Sequence, residues 1–296
     1  MLVAIEPGRV GDGGRAALEL GATLGTALDR SVQVAVVVVV APGVPSPLRV
    51  GMSDEAFAQQ LAADAIDEAR TRLGDRFGGT VAIRERSVRA GLLAAIEQAR
   101  PGHLVLGSAH GAGPGRIELG EIARGLLNSS PVPVVIAPRG YSRYDASHPL
   151  RRVTVAFGPD SASAFALRYA AVLAERADTQ LRTATFWVRQ ATTPPAIGGG
   201  RGDNEVAMQW KEQMRRRVDQ AIRGLDQLEL PRRFIATDIA DGDDWAEAVH
   251  TLDWDGGDLL IVGSSPPGGL RRVFLGSRSA EILRRAPVPV AVLPGV

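Results

Sequence analysis

The stretch GSSPPGGLRRVFLGSRSAEIL holds the residue types best suited to grip a ligand. Gly263 closes an apolar run there, and Gly276 and Ser277 stand where a helical pattern begins. Small residues let a backbone approach a ligand. The first N–H groups of a helix point outward, and the helix dipole favours an anion, so the stretch suits a phosphate. On spacing alone a loop that merely reverses the chain, with Ser277 capping the helix, is the better reading, because glycine-rich turns are common. The stretch is not a Gly-Lys-Ser/Thr phosphate loop. The chain's single lysine, Lys211, follows Trp210 instead.

Other chemistry is poorly supported. The four histidines are His103, His110, His148 and His250, and none forms a spaced metal pair. His103 reads as a surface loop residue, His250 as half-buried helix packing, and His148 as part of a linker. His110 alone falls near a ligand-binding loop, where its protonated form could meet an anion. The run Asp241 to Asp244 lacks the rest of a calcium loop. A helix cap by Asp243 or Asp244 accounts for it better. No Gly-x-Ser-x-Gly elbow occurs. Trp187, Trp210, Trp245 and Trp254 are scattered along the chain, with no stacking platform expected. With no cysteine, thiolate catalysis, disulfides and cysteine metal sites are excluded.

The elements that must position the glycine-rich stretch occur twice. SPVPVVIAP from Ser130 returns as APVPVAVLP from Ala286, and HLVLGS returns as LLIVGSS. One interval separates Gly107 from Gly263, Gly120 from Gly276, and Pro131 from Pro287. A block of about 150 residues, the size of a domain, is therefore present twice. Each copy alternates apolar strand patterns with helical ones, in the order strand, helix, strand, loop, helix, strand, helix, strand, glycine-rich loop, helix, strand. VAVVVVVA from Val34 lacks polar alternation, as expected for a parallel strand buried on both faces. In the first copy a helix is expected from Ser53 to Leu73 and a third strand over TVAIRERSV. In the second a helix is expected from Asn204 to Leu228. The expected division is 1–140, a polar linker over 141–150, and 151–296. Alternating units of this kind build a parallel sheet, with ligands beyond the carboxyl ends of its strands where strand order reverses.

The formal net charge of +1 gives no field for nucleic acid, and ArgArgArg at Arg215 to Arg217 and the pair Arg271, Arg272 read as solvated faces. RGD at Arg201 reads as accidental. The most apolar run is too short for a membrane span, and the start shows no secretion signal, so a cytoplasmic location is expected.

GSSPPGGLRRVFLGSRSAEILRRAPVPVAVLP resembles the ending of universal stress protein domains: Gly-x2-Gly-x9-Gly-Ser, a helix, then a Pro-Val strand. The resemblance covers both copies. It implies two tandem Rossmann-like α/β domains, each with a five-stranded parallel sheet, paired about a pseudo-twofold axis through their fifth strands; a further homodimer is compatible with it. It also implies ATP in the crevice beside the motif, held in this chain by Gly263, Gly276 and Ser277 in the second copy. Gly107 and Gly120 are the counterparts in the first copy. Glu6 stands at the strand-one end, where the family places an acid near the nucleotide. Pro266 and His110 replace the second glycine in the two copies, Glu121 replaces the serine in the first, and Gly158 replaces the strand-one acid in the second, with Asp160 two residues beyond. Each copy thus keeps a different fragment of the site, and ATP is expected in the second copy rather than the first. No metal is implied. The function expected is stress response through nucleotide or protein-partner binding without catalysis. The alternatives are slow ATP hydrolysis at the second copy, or an interaction module without a ligand.

Overall fold

The apolar runs become strands of one sheet because only a sheet covered on both faces can bury them. In a computed structural model the structure describes residues 1–8, 10–39, 54–142, 149–158, 160–189, 201–225, 235–264 and 275–295. The first copy contributes β1 (Leu2–Ile5), α1 (Asp12–Ala27), β2 (Val32–Val39), α2 (Asp54–Leu73), β3 (Phe77–Glu85), α3 (Val88–Ala99), β4 (Leu104–Gly107), α4 (Glu121–Leu126) and β5 (Val134–Ala137). The second contributes β6 (Arg152–Ala156), α5 (Ser161–Arg176), β7 (Gln180–Val188), α6 (Arg201–Arg223), β8 (Ile235–Gly242), α7 (Trp245–His250), β9 (Asp258–Val262), α8 (Ser277–Arg285) and β10 (Val290–Val292).

The ten strands form one sheet in the order β3-β2-β1-β4-β5-β10-β9-β6-β7-β8. Every pairing is parallel except β5 with β10, where Val135 lies opposite Ala291. Each half is the expected five-stranded parallel sheet, and the fifth strands join the halves. Successive residues of those strands feed opposite faces. Val135 and Ala291 enter one apolar cluster with α1, α2, α5 and α6. Val134, Ile136, Val290 and Val292 enter another with α3, α4 and α8. Strand order reverses between β1 and β4, and again between β6 and β9.

Some boundaries differ from the sequence reading. The third strand begins earlier and ends at Glu85, because Ser87 caps α3 by accepting a hydrogen bond from the Ala90 N–H. α6 runs over Arg201–Arg223 rather than 204–228. Asp244, one of the two caps proposed, accepts from the Ala246 and Glu247 N–H groups. Backbone donation, first from Glu247, holds its carboxyl below the usual carboxylate range. Ser53, Pro266, Arg271, Arg272, His148 and most of the linker lie outside the described residues.

Two polar contacts join residues far apart in sequence. Asp258, whose side chain is fully buried, takes two hydrogen bonds from Arg152 at 3.0 and 2.7 Å. Its Oδ2 also lies 3.6 Å from the buried Arg182 guanidinium, which stacks over Trp254 at 4.7 Å. Burial pushes the Arg182 pKa down, and Arg152 adds to that effect. The second contact is between His103 and Tyr169. His103 is not the surface loop residue the sequence suggested: its Nε2 is hydrogen-bonded to the Tyr169 hydroxyl of the other half. Enclosure lowers the His103 pKa from 6.5 to about 4 and raises that of Tyr169. His250 differs in the opposite sense, being exposed on α7 with Nδ1 2.6 Å from the Ala246 carbonyl.

Removing the Asp258 carboxylate leaves Arg152 without this ion pair and Arg182 with Asp238 at 3.9 Å as its remaining one among the described residues. Asp258→Ala is therefore expected to cost about 3–5 kcal/mol in urea unfolding, against less than about 0.5 kcal/mol for exposed Arg216→Ala. The His103 shift sets a pH dependence. The charged groups around the ring are the Met1 amine, Arg30 and Arg176, all cationic, with Tyr169 neutral. Unfolded His103 takes up its proton near pH 6.5 and folded His103 only near 4. Its contribution to stability is complete above 6.5 and is lost as pH falls towards 4. Urea midpoints measured across that window should fall more steeply for the wild type than for His103→Gln.

Candidate functional site

Both reversals of strand order open a cleft at the carboxyl ends of the strands, as expected for open α/β sheets. Gly107 and Gly263, the strand-four glycines of the two copies, sit at the floors of these clefts. Their first role is steric. A Cβ on Gly107 would lie 1.9 Å from the Gly13 carbonyl oxygen, and one on Gly263 would lie 2.9 Å from that of Ala162. Glycine lets the first turns of α1 and α5 press against the strand ends.

The second-copy cleft has a volume of about 320 Å³. Its floor is Gly158 and Gly263, and one wall is the first turn of α8. Gly276 is the N-cap of α8, and no side chain caps that end. Ser277 is exposed at the first helical position, so it does not supply the cap the spacing allowed. Ser279 turns back and donates to the Gly263 carbonyl at 3.0 Å, joining α8 to the strand end. Across the cleft, Asp160 is committed to α5: it accepts from the N–H and hydroxyl of Ser163, each at 2.8 Å. The Ser163 hydroxyl in turn accepts from the Gly158 N–H. Arg278 also lines the cleft.

Three cleft residues escaped the sequence reading. Trp210 reaches the cleft from α6 and Trp245 from α7, so two tryptophans far apart in sequence border one space. Trp210 also packs on Trp187 with ring centroids 4.6 Å apart. Thr185 is 2% exposed and is one of the residues bordering the cleft, and its Oγ1 is buried without a hydrogen-bond partner among the described residues. A buried hydroxyl left unpaired costs about 1–3 kcal/mol. The sequence signal available was Thr185 within an otherwise apolar strand end.

The first-copy cleft is about 590 Å³ and is lined by two carboxylates. Glu6 at the end of β1 and Glu121 at the first position of α4 both line it. Gly120 is the N-cap of that six-residue helix, again without a side-chain cap. Exposed His110 sits over the start of α1: its Nε2 and Glu6 Oε2 are 3.3 and 4.0 Å from where a Gly11 Cβ would be. The loop between Gly107 and Gly120 closes on itself. Ala109 donates to the Glu118 carbonyl, the Ser108 hydroxyl accepts from the Glu118 N–H, and Arg139 donates to the His110 and Ala112 carbonyls. Ile117 and Leu119 are buried beneath it. Glu6, Gly107 and Gly120 thus share one cleft and Gly263, Gly276 and Ser277 the other. Among the described residues no group of three or more metal-ligating side chains converges, and no helix is long and apolar enough to cross a membrane.

Two α/β units with a cleft at each reversal, joined through their fifth strands, define a tandem Rossmann-like architecture. The sequence model of the Universal stress protein family matches residues 1–138 and again 149–294. A universal stress protein of Mycobacterium tuberculosis and one of Mycobacterium bovis are each 37% identical over 256 residues, covering 85% of this chain and 85% of the relative. The crystal structure of a universal stress protein from Archaeoglobus fulgidus superposes with a TM-score of 0.64 at 17% identity, over 99% of this chain and 98% of that one. A functionally unknown protein from Pseudomonas aeruginosa superposes at 0.58 with 14% identity, over 99% and 92%. The chain belongs to the universal stress protein family, with two family domains in tandem.

The steric reading of the glycines has a direct check. Gly107→Ala should lower stability by about 1–3 kcal/mol through overpacking. Gly102→Ala should change it by less than about 0.5 kcal/mol, because its Cβ would meet nothing within 4 Å. Urea unfolding of both variants measures the difference.

Proposed function

We propose that the chain is a stress-response protein that binds an adenine nucleotide in its second-copy cleft and acts through that binding rather than through turnover. The observation that carries the reading is the unpaired Thr185 Oγ1 in the same cleft as the uncapped start of α8. The first offers a base or ribose a buried hydrogen bond, and the second offers a phosphate N–H groups and a positive dipole end. Ser277 and Arg278 add a hydroxyl and a cation at that end. Trp210 and Trp245 give the cleft aromatic walls of the kind on which a planar base packs. The adenine nucleotide fits these residues, and when bound it would supply a signal of cellular energy state.

Binding without hydrolysis follows from the carboxylates. Among the described residues the one carboxylate lining the cleft is Asp160, whose Oδ1 is engaged by Ser163 at the start of α5. In the first copy Glu121 occupies the position a phosphate would need, and Glu6 adds a second negative charge, so a nucleotide is disfavoured there.

Titration calorimetry with ATP tests the reading. The wild type should bind one nucleotide per chain. Ser277→Asp and Trp210→Ala should each weaken binding by about tenfold or more, which is about 1.4 kcal/mol, while Glu6→Gln should leave it unchanged. Binding lost in Glu6→Gln but kept in Ser277→Asp would move the site to the first copy, and no binding at millimolar ATP would remove the nucleotide.

A further inference from the structure

The pseudo-twofold relation between the halves is broken at one contact. α1 and α5 are each 16 residues long, and Leu20 and Tyr169 hold the same place in them. Counting back from Gly107 and Gly263 sets His103 opposite Leu259. Leu20 and Leu259 are both buried in the large apolar cluster. On the other side of the axis the corresponding residues are Tyr169 and His103, whose rings meet edge to face with centroids 6.0 Å apart. Where the repeat supplies two leucines that pack, this side carries a polar pair.

The halves do not close beside that pair. A cavity of about 310 Å³ lies between them, lined by Leu28 and Arg30 from the first half and Val172, Leu173 and Arg176 from the second. Its volume is at the lower end of the range for small-molecule pockets. No carboxylate lines it. Arg30 and Arg176 are exposed, one from each half, and neither has an ion-pair partner among the described residues. Between them lie the Met1 amine, which donates to the Ser31 carbonyl, the His103–Tyr169 pair, and otherwise apolar side chains. An apolar wall with two exposed guanidinium groups, the Met1 amine and a half-buried hydroxyl–imidazole pair is complementary to a molecule with an apolar body and one acidic end.

We propose that this interdomain cavity binds a small organic acid, its carboxylate held by Arg30 and Arg176 and its apolar body against Leu28, Val172 and Leu173. The site is separate from both strand-end clefts, since it lies at the turns that precede β1, β2 and β4. Its walls come from both halves, so an occupant stabilises their packing by mass action on the folded state. Shape and charge together select the ligand: a short acid such as acetate lacks the apolar body, and an alcohol of equal length lacks the charge.

Octanoate is the probe, with 1-octanol and acetate as controls, read by calorimetry and by thermal unfolding of the full chain. Octanoate should bind and raise Tm, and each control should bind at least about tenfold more weakly. Arg30→Gln/Arg176→Gln changes two exposed residues, so it should fold normally and lose octanoate by about tenfold or more. Octanoate binding that survives the arginine double variant, octanol binding as tightly as octanoate, or no octanoate binding at millimolar concentration would each overturn the proposal.

Discussion

The antiparallel pairing of β5 with β10 is the constraint on which the rest depends. Each half alone is an open parallel sheet whose fifth strand would present unpaired N–H and C=O groups along an apolar edge, the kind of edge that recruits another chain. Val135 opposite Ala291 closes both edges at once. Because the pairing is antiparallel, it relates the halves by a pseudo-twofold axis and sends alternate residues of both strands into the two apolar layers. The same axis brings α1 and α5 into one layer and places His103 against Tyr169. The prolines that flank each fifth strand limit its length while their carbonyls accept from Leu104 and Leu260, so the joint is short and symmetric.

Duplication of a fold is not duplication of a site. The two strand-end clefts have the same backbone origin, yet one is walled by Glu6 and Glu121 and the other by Ser277, Arg278 and two tryptophans. The floor glycines persist in both because they solve a packing problem, the approach of a helix to a strand end, whatever the ligand. The residues that would touch a ligand are free of that constraint, and there the copies diverge. A glycine motif thus reports the fold more faithfully than it reports what is bound.

The sequence was most informative where one residue type has one physical use. Unbroken valine runs mean strands buried on both faces, and the matched Pro-Val segments and equal glycine intervals announce two like units. Helix ends were read less well, since Ser87 or a register of a few residues decides them locally. The cleft was legible only in part. Gly276 and Ser277 were visible as a pair, but Trp210 and Trp245 come from two helices that converge only after the sheet forms. Thr185 stands out only once its hydroxyl is seen to be buried and unpaired. His103 was misjudged because its partner lies in the other half, and no local pattern can show that an opposing helix will enclose it.

The central claim is that the two equivalent clefts are functionally unequal, with the nucleotide in the second. Hydrogen–deuterium exchange of the full chain with and without ATP tests this directly. The account predicts slower exchange on ATP addition at the start of α8 and at the end of β6, and no change from Gly107 to Glu121. Protection in that first-copy segment, or equal protection in both, would contradict it.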